Sequence, residues 1–163
     1  MAYQLEEINR RLKEDPAEFV AECDGVYQKR LETAADRILE RMKVSPIVLL
    51  SGPSGSGKTT TALKLEQELE RRGVQTHTIS MDNYFKTLNR RTAPRNAEGD
   101  IDYESPKLLD MDLLDETFTK LSRGEWVIVP KFEFARQMRN DSRGTPLKLD
   151  KNEIAIFEGI HAL

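Results

Sequence analysis

The stretch from Ile47 to Thr59 constrains this chain more than any other. An apolar run, Ile47-Val48-Leu49-Leu50, leads into Ser51-Gly52-Pro53-Ser54-Gly55-Ser56-Gly57-Lys58-Thr59, with Thr60 next. Gly52, Gly57, Lys58 and Thr59 occupy the fixed positions of the pattern G-x-x-x-x-G-K-[ST]. The apolar run has the length of a buried strand. Thr59 to Arg72 reads as a helix, with Leu63, Leu65 and Leu69 among charged residues. Strand, glycine-rich loop and helix form the setting in which backbone amides gather round a phosphate. A helix start leaves N–H groups unpaired and favours negative charge. Gly55 and Gly57 let the loop curl so that successive N–H groups point inward. Residues Gly52, Pro53, Ser54, Gly55, Ser56, Gly57, Lys58, Thr59 and Thr60 are thus the candidate nucleotide-binding segment. Lys58 would set its charge against the phosphates, and Thr59 would offer its hydroxyl to Mg²⁺. A plain glycine-serine turn would not need the Gly-Lys-Thr ending.

The flanking sequence predicts an α/β domain. Leu5, Ile8 and Leu12 lie at helical spacing within residues 1–14. Asp15-Pro16-Ala17-Glu18 has the form of a second helix start. That helix would reach Met42, with Phe19, Cys23, Val26, Tyr27, Leu31, Ala34, Ile38 and Met42 on one stripe. The stripe would serve core packing, a hairpin with the first helix, or a partner. Ser45-Pro46 ends this extension, so residues 1–44 are read as an N-terminal helical extension and 45–163 as the main domain. Val74 to Ser80 is a second strand. Residues 86–105 form a long loop, of the kind that often carries function. Pro106 to Leu121 reads as a helix and Trp126 to Phe134 as a strand, with Pro130 marking an edge or a bend. Gly144-Thr145-Pro146 reads as a turn into Leu147-Lys148-Leu149, which would pair with that strand as a hairpin. Glu153 to Gly159 is the last strand, followed by His161-Ala162-Leu163. Strands alternating with helices predict a mostly parallel sheet flanked by helices. Ligands sit beyond the carboxyl ends of such strands.

Charge and cysteine content narrow the class. The chain has 163 residues, a net charge of −3 and a single cysteine, Cys23. An acidic balance argues against a nucleic-acid surface. One cysteine allows no internal disulfide and suits a reducing compartment. No apolar run is long enough for a membrane span, and Glu6 and Glu7 break any signal-like start. The expected setting is cytoplasmic, with neither nucleic acid nor membrane as partner.

Two acids stand at strand ends beside the glycine loop. Glu158 closes the apolar run Ile154-Ala155-Ile156-Phe157 and could hold Mg²⁺ opposite Thr59, or could be a solvated acid. Asp82 follows the second strand, between Met81 and Tyr84-Phe85. Near a terminal phosphate it could deprotonate an attacking hydroxyl, with a share in the metal site, or it could cap a helix. His77 reads as structural. His161 follows Glu158-Gly159-Ile160 and either faces the site or packs.

Gly52 to Thr59, Ser80-Met81-Asp82-Asn83-Tyr84-Phe85, Asp102-Tyr103-Glu104-Ser105-Pro106, Pro130 to Phe134 and Glu158-Gly159-Ile160 together resemble the uridine kinase/phosphoribulokinase family of P-loop kinases. The resemblance is to its bacterial uridine kinase-like branch and runs from about Val44 to Leu163. It implies a P-loop NTPase fold and ATP-dependent phosphorylation of a hydroxyl on a nucleoside or similar small molecule. Asp82 matches the catalytic base, and Lys58 and Mg²⁺ the phosphate-side charges. Tyr84, Phe132 and Arg139 match acceptor-site positions, and Glu104 stands where an Asp holds sugar hydroxyls. Three positions depart from uridine kinases: Phe132-Glu133-Phe134 stands where they have Tyr-Asp-Phe, and Gln137 where they have a base-contacting His.

Other readings stay open. The acceptor could be a phosphorylated sugar or a pantothenate-like compound, or the chain could be a nucleotide-binding regulatory module. The Asn-Lys-x-Asp motif of GTPase switches and the Leu-Ser-Gly-Gly signature of ABC motors are absent. The family continues with an arginine-bearing lid and further strands, whereas no arginine follows Arg143 here. The expectation is a chain lacking the C-terminal part of the fold, weak in phosphoryl transfer and prone to form a homo-oligomer along the bare edge of the glycine-loop strand. Arg90, Arg91 and Arg95 in the long loop could guide an anion or simply be solvated.

Overall fold

The computed structural model describes residues 3–162. The chain runs α1 (Leu5–Glu14), α2 (Pro16–Arg41), β1 (Ile47–Ser51), α3 (Lys58–Arg71), β2 (Gln75–Ser80), α4 (Met111–Ser122), β3 (Val127–Val129), β4 (Phe132–Glu133), β5 (Met138–Arg139), β6 (Thr145–Leu147) and β7 (Glu153–Gly159). The central sheet is parallel, in the order β1-β7-β2. Its middle strand β7 has apolar side chains toward both faces. Ile154 and Ile156 pack with Leu65 and Leu69 of α3 and with Leu31 and Ala35 of α2. Ala155 and Phe157 pack with Leu114 and Leu121 of α4. Helices on both faces explain why β7 reads as an unbroken apolar run rather than an alternating one. The fold is a P-loop-type α/β arrangement with two helices preceding its first strand.

Local chemistry accounts for the helix ends. The Glu18 N–H donates to the Asp15 carboxylate at 2.9 Å, and Pro16 sits at the first helical position. The stripe of α2 differs from expectation at Val26, which is 41% exposed. Tyr27, Leu31, Ala34, Ala35 and Ile38 make the contact with the core, and Val26 lies one residue, about 100°, round the helix from that line. The first helix also docks differently. Leu5 is 69% exposed and Leu12 is exposed as well. Tyr3 and Arg11 make the contact instead, the Tyr3 ring edge-on to Phe19 and Arg11 paired with Glu22 at 2.7 Å.

Three further expectations are corrected. Pro106 to Leu121 is not one helix: a 3₁₀ turn spans Pro106–Leu108, and α4 begins only at Met111. Asp110 caps α4 through the Leu113 N–H, while Leu109 is extended and bridges to Phe85. Trp126 to Phe134 is not one strand, since it breaks at Pro130 into β3 and β4. A proline cannot donate to a ladder. Thr145 and Pro146 lie in β6 rather than in a turn, and β6 pairs antiparallel with β3. Leu163 lies outside the described residues.

Candidate active site

The glycine loop, the candidate phosphate cradle, is built by backbone. Gly57 takes a left-handed φ of 83°, and no side chain caps α3. The first amides of α3 thus have no side-chain cap, and a helix start of this kind favours an anion. Gly52 has a steric role: a Cβ there would stand 2.9 Å from Ser56 Oγ and 3.3 Å from Lys58 Cγ. Lys58 folds over the loop and donates from Nζ to the Pro53 carbonyl at 2.9 Å. Ser54, Gly55, Lys58 and Thr59 face a cavity of about 340 Å³ that Asp82, Glu104 and Glu158 also line. Gly52, Pro53, Ser56, Gly57 and Thr60 do not line it; they shape the loop and the first turn of α3.

The acids reach this cavity from neighbouring strands. Glu158 lies in β7, in register with Leu50 of β1 and Ser80 of β2. It is buried, so it is not a solvated strand-end acid. Its carboxylate accepts from the Thr59 hydroxyl at 3.4 Å. One hydroxyl and one buried carboxylate make a partial ligand set, and no cluster of three His, Cys, Asp or Glu suited to a metal occurs among the described residues. A hydroxyl beside a buried carboxylate suits Mg²⁺, which keeps waters and takes phosphate oxygens rather than an all-protein cage. Thr59 and Glu158 could hold it, and Asp82 lines the same cavity.

Asp82 sits in a 3₁₀ turn, Met81–Tyr84. Ser80 caps this turn, its hydroxyl accepting from the Asp82 N–H at 3.4 Å, so Asp82 is not itself the cap. Side chains three apart share a face in a 3₁₀ turn. Met81 and Tyr84 accordingly face the core, while Asp82 and Phe85 face the cavity. Gly159 permits this approach, since a Cβ on it would stand 3.0 Å from Met81 Cβ. Burial raises the pKa of Asp82, and the charges of Lys58 and His161 act against that rise. A half-buried carboxylate of raised basicity suits proton abstraction.

A second cavity of about 240 Å³ adjoins the first, with Phe85 and Tyr103 common to both walls. Lys86, Leu88, Leu108, Phe132, Phe134 and Gln137 complete it. Its surface is almost wholly apolar. The Gln137 amide donates to the Tyr103 hydroxyl at 3.3 Å from a residue held at φ 51°.

The acceptor-site positions inferred by resemblance divide. Phe132 and Gln137 line the apolar cavity, and Glu104 lines the phosphate-side one. Tyr84 lines neither: it is fully buried, its ring centroid 6.1 Å from that of Phe157. The 3₁₀ geometry turns it inward and puts Phe85 in its place. Arg139 lines neither cavity, being committed to Asp110 at 2.6 Å and Asp141 at 2.9 Å. Arg95 is tied to the Gly99 carbonyl at 2.6 Å and braces the long loop. Of the lining residues that the sequence did not single out, Phe85 and Tyr103 are the two that border both cavities. The three-residue offset from Asp82 could have marked Phe85, and an aromatic in a polar loop could have marked Tyr103.

A model of the Phosphoribulokinase / Uridine kinase family matches residues 47–163. A uridine kinase of Staphylococcus aureus (strain JH9) is 33% identical over 122 residues, covering 75% of this chain and 56% of that protein. A uridine kinase of Schizosaccharomyces pombe is 35% identical over 114 residues, covering 70% of this chain and 24% of that protein. The chain thus spans about half or less of the length of these curated relatives. The crystal structure of a proposed fructose transport system kinase from Silicibacter sp. TM1040 aligns with a TM-score of 0.63 at 26% identity, covering 79% of this chain and 62% of that one. Glycine loop, strand-end acids and sequence match agree, and the chain belongs to the phosphoribulokinase/uridine kinase family.

Proposed function

We propose that this chain carries the phosphate and acceptor sites of an ATP-dependent small-molecule kinase whose acceptor is nucleoside-like. The observation that carries this reading is the pair of adjoining cavities: a polar one holding Lys58, Thr59, Asp82 and Glu158, and an aromatic one sharing Phe85 and Tyr103 with it. A nucleoside has the matching two-part form. Its planar base suits an apolar, aromatic-lined pocket, where stacking and burial both contribute. Its ribose hydroxyls extend toward polar groups. A phosphorylated sugar would bring an anion into a nearly unpolar cavity, at a high desolvation cost.

In this reading the amides of the loop and the Lys58 ammonium bind the triphosphate. Thr59 and Glu158 would hold Mg²⁺, which would supply charge neutralisation at the phosphates. Glu104 accepts hydrogen bonds from acceptor hydroxyls and orients the attacking one. Asp82 takes that hydroxyl's proton as its oxygen attacks the terminal phosphorus, and ADP leaves. Phe85 and Tyr103 hold the acceptor's orientation at the junction and exclude water.

The test is an acceptor panel of nucleosides, phosphorylated sugars and pantothenate-like compounds with ATP·Mg²⁺, scored for phosphorylated product and for ADP. Product with nucleosides supports the reading. Product only with anionic acceptors replaces the acceptor assignment. ADP without any phosphorylated acceptor, or nucleotide binding alone, makes the chain a nucleotide-binding module.

A further inference from the structure

The N-terminal helices lie outside the family match, which begins at residue 47, yet α2 runs along the helix that carries the phosphate cradle. Leu31 and Ala35 share one core with Ala62, Leu65 and Leu69 of α3. At the far end of α3, Arg72 is paired with Asp36. At the near end, the Tyr27 and Thr61 hydroxyls share a hydrogen bond of 2.9 Å, and Lys64 Nζ lies 4.7 Å over the Tyr27 ring. Thr61 stands at a mechanically special place. Its N–H donates at 2.8 Å to the carbonyl of Gly57, the left-handed glycine at the turn of the cradle. Thr61 therefore links two things: its backbone holds Gly57, and its side chain is held by α2.

We infer that α2 is a positioning element for the nucleotide site and that Tyr27 is the positioning residue through which it acts. The Tyr27 hydroxyl fixes Thr61 and with it the first turn of α3, on which the amides of the phosphate site depend. A threonine hydroxyl without another partner tends to bond back to the carbonyl four residues earlier, which bends a helix. For Thr61 that carbonyl is Gly57, whose placement sets the cradle. Tyr27 keeps the hydroxyl engaged elsewhere. The inference rests on the proposed nucleotide site.

The test uses the whole chain, with ADP and Mg²⁺ as the probe, in calorimetry well below the melting temperature. Tyr27→Phe removes one hydroxyl and keeps the ring. It should weaken ADP binding roughly threefold to tenfold, the range expected for one lost hydrogen bond. The double variant Tyr27→Phe/Thr61→Val should be no worse than the weaker of the single variants, because both break the same bond. Asp36→Asn breaks a contact between the same two helices at the distant end. It should lower the melting temperature without changing ADP affinity. Equal affinity for wild type and Tyr27→Phe would overturn the inference, as would an equal loss in Asp36→Asn, which would reduce the effect to general stability. Absence of ADP binding in the wild type would instead overturn the nucleotide-site reading.

Discussion

The two halves of the candidate site are made in different ways. The phosphate side comes from one continuous stretch, Gly52 to Thr59, and its working groups are largely backbone amides and one lysine. The proposed acceptor side, the apolar cavity, is assembled from residues between Phe85 and Leu88, Tyr103 and Leu108, and Phe132 and Gln137, with side chains throughout. A backbone site needs small residues at fixed spacing, so it leaves a pattern along the chain. A side-chain pocket needs only volume and polarity in space, and many sequences supply those. Asp82 stands between the halves, in the 3₁₀ turn that Phe85 closes as its C-cap.

That contrast can be broken or sharpened by substitution. The largest effect should come at the junction. Asp82→Asn preserves shape and removes the proton acceptor, and turnover should fall by roughly 10²–10⁴ with ADP affinity little changed in calorimetry. A near-wild-type rate would leave Asp82 a structural neighbour of both halves and the base unassigned.

Next come substitutions confined to one half. Lys58→Ala should weaken ADP binding roughly tenfold to a hundredfold, as expected for a charge-assisted contact, without altering the acceptor KM. Gln137→Gly should do the converse. It removes the amide at the apolar pocket and should raise the acceptor KM roughly tenfold, leaving the ATP KM alone. Because Gln137 is left-handed, glycine fits its backbone, and stability should change by no more than about 1 kcal/mol. Steady-state kinetics with each substrate varied in turn separates the two, and equal shifts in both KM values would show that the halves are not independent.

The smallest effect is in stability. Burial raises the folded pKa of Asp82 above its unfolded value, so the folded chain binds this proton more tightly than the unfolded chain. The resulting cost is absent below the ordinary aspartate range and is present in full above the raised folded pKa. Asp82→Asn should therefore melt slightly higher than wild type near pH 7–8, on the order of 1–2 °C. The gap should close as pH falls through the folded pKa. The acidic limb of kcat/KM should likewise lie above the ordinary aspartate range. A melting gap that is constant with pH would remove the burial argument.

Much of the fold was legible because local rules and packing agree. The apolar run before Glu158 needed helices on both faces, and α3 and α4 supply them. Asp15-Pro16 starts α2, as capping chemistry requires. Gly57 was legible as a left-handed turn into α3, because a chain that curls sharply before a helix calls for glycine at positive φ. Glu158 and Asp82 were legible as strand-end acids, since parallel strands carry their ends to one edge. Other features depended on long-range contacts. Tyr84 and Phe85 are adjacent aromatics, and only the docking of the 3₁₀ turn on Gly159 sends the first inward and the second to the pocket. Arg139 had the charge to meet an acceptor, yet Asp110 and Asp141 lie close enough to hold it. Leu5 and Leu12 had helical spacing, but the turn at Asp15 sets Tyr3 and Arg11 against α2 instead. Local sequence specified backbone geometry and charge at the cradle, where bonds are short-range. Tertiary structure alone decided which side chains line the apolar cavity, because distance between remote segments is a property of the packed whole.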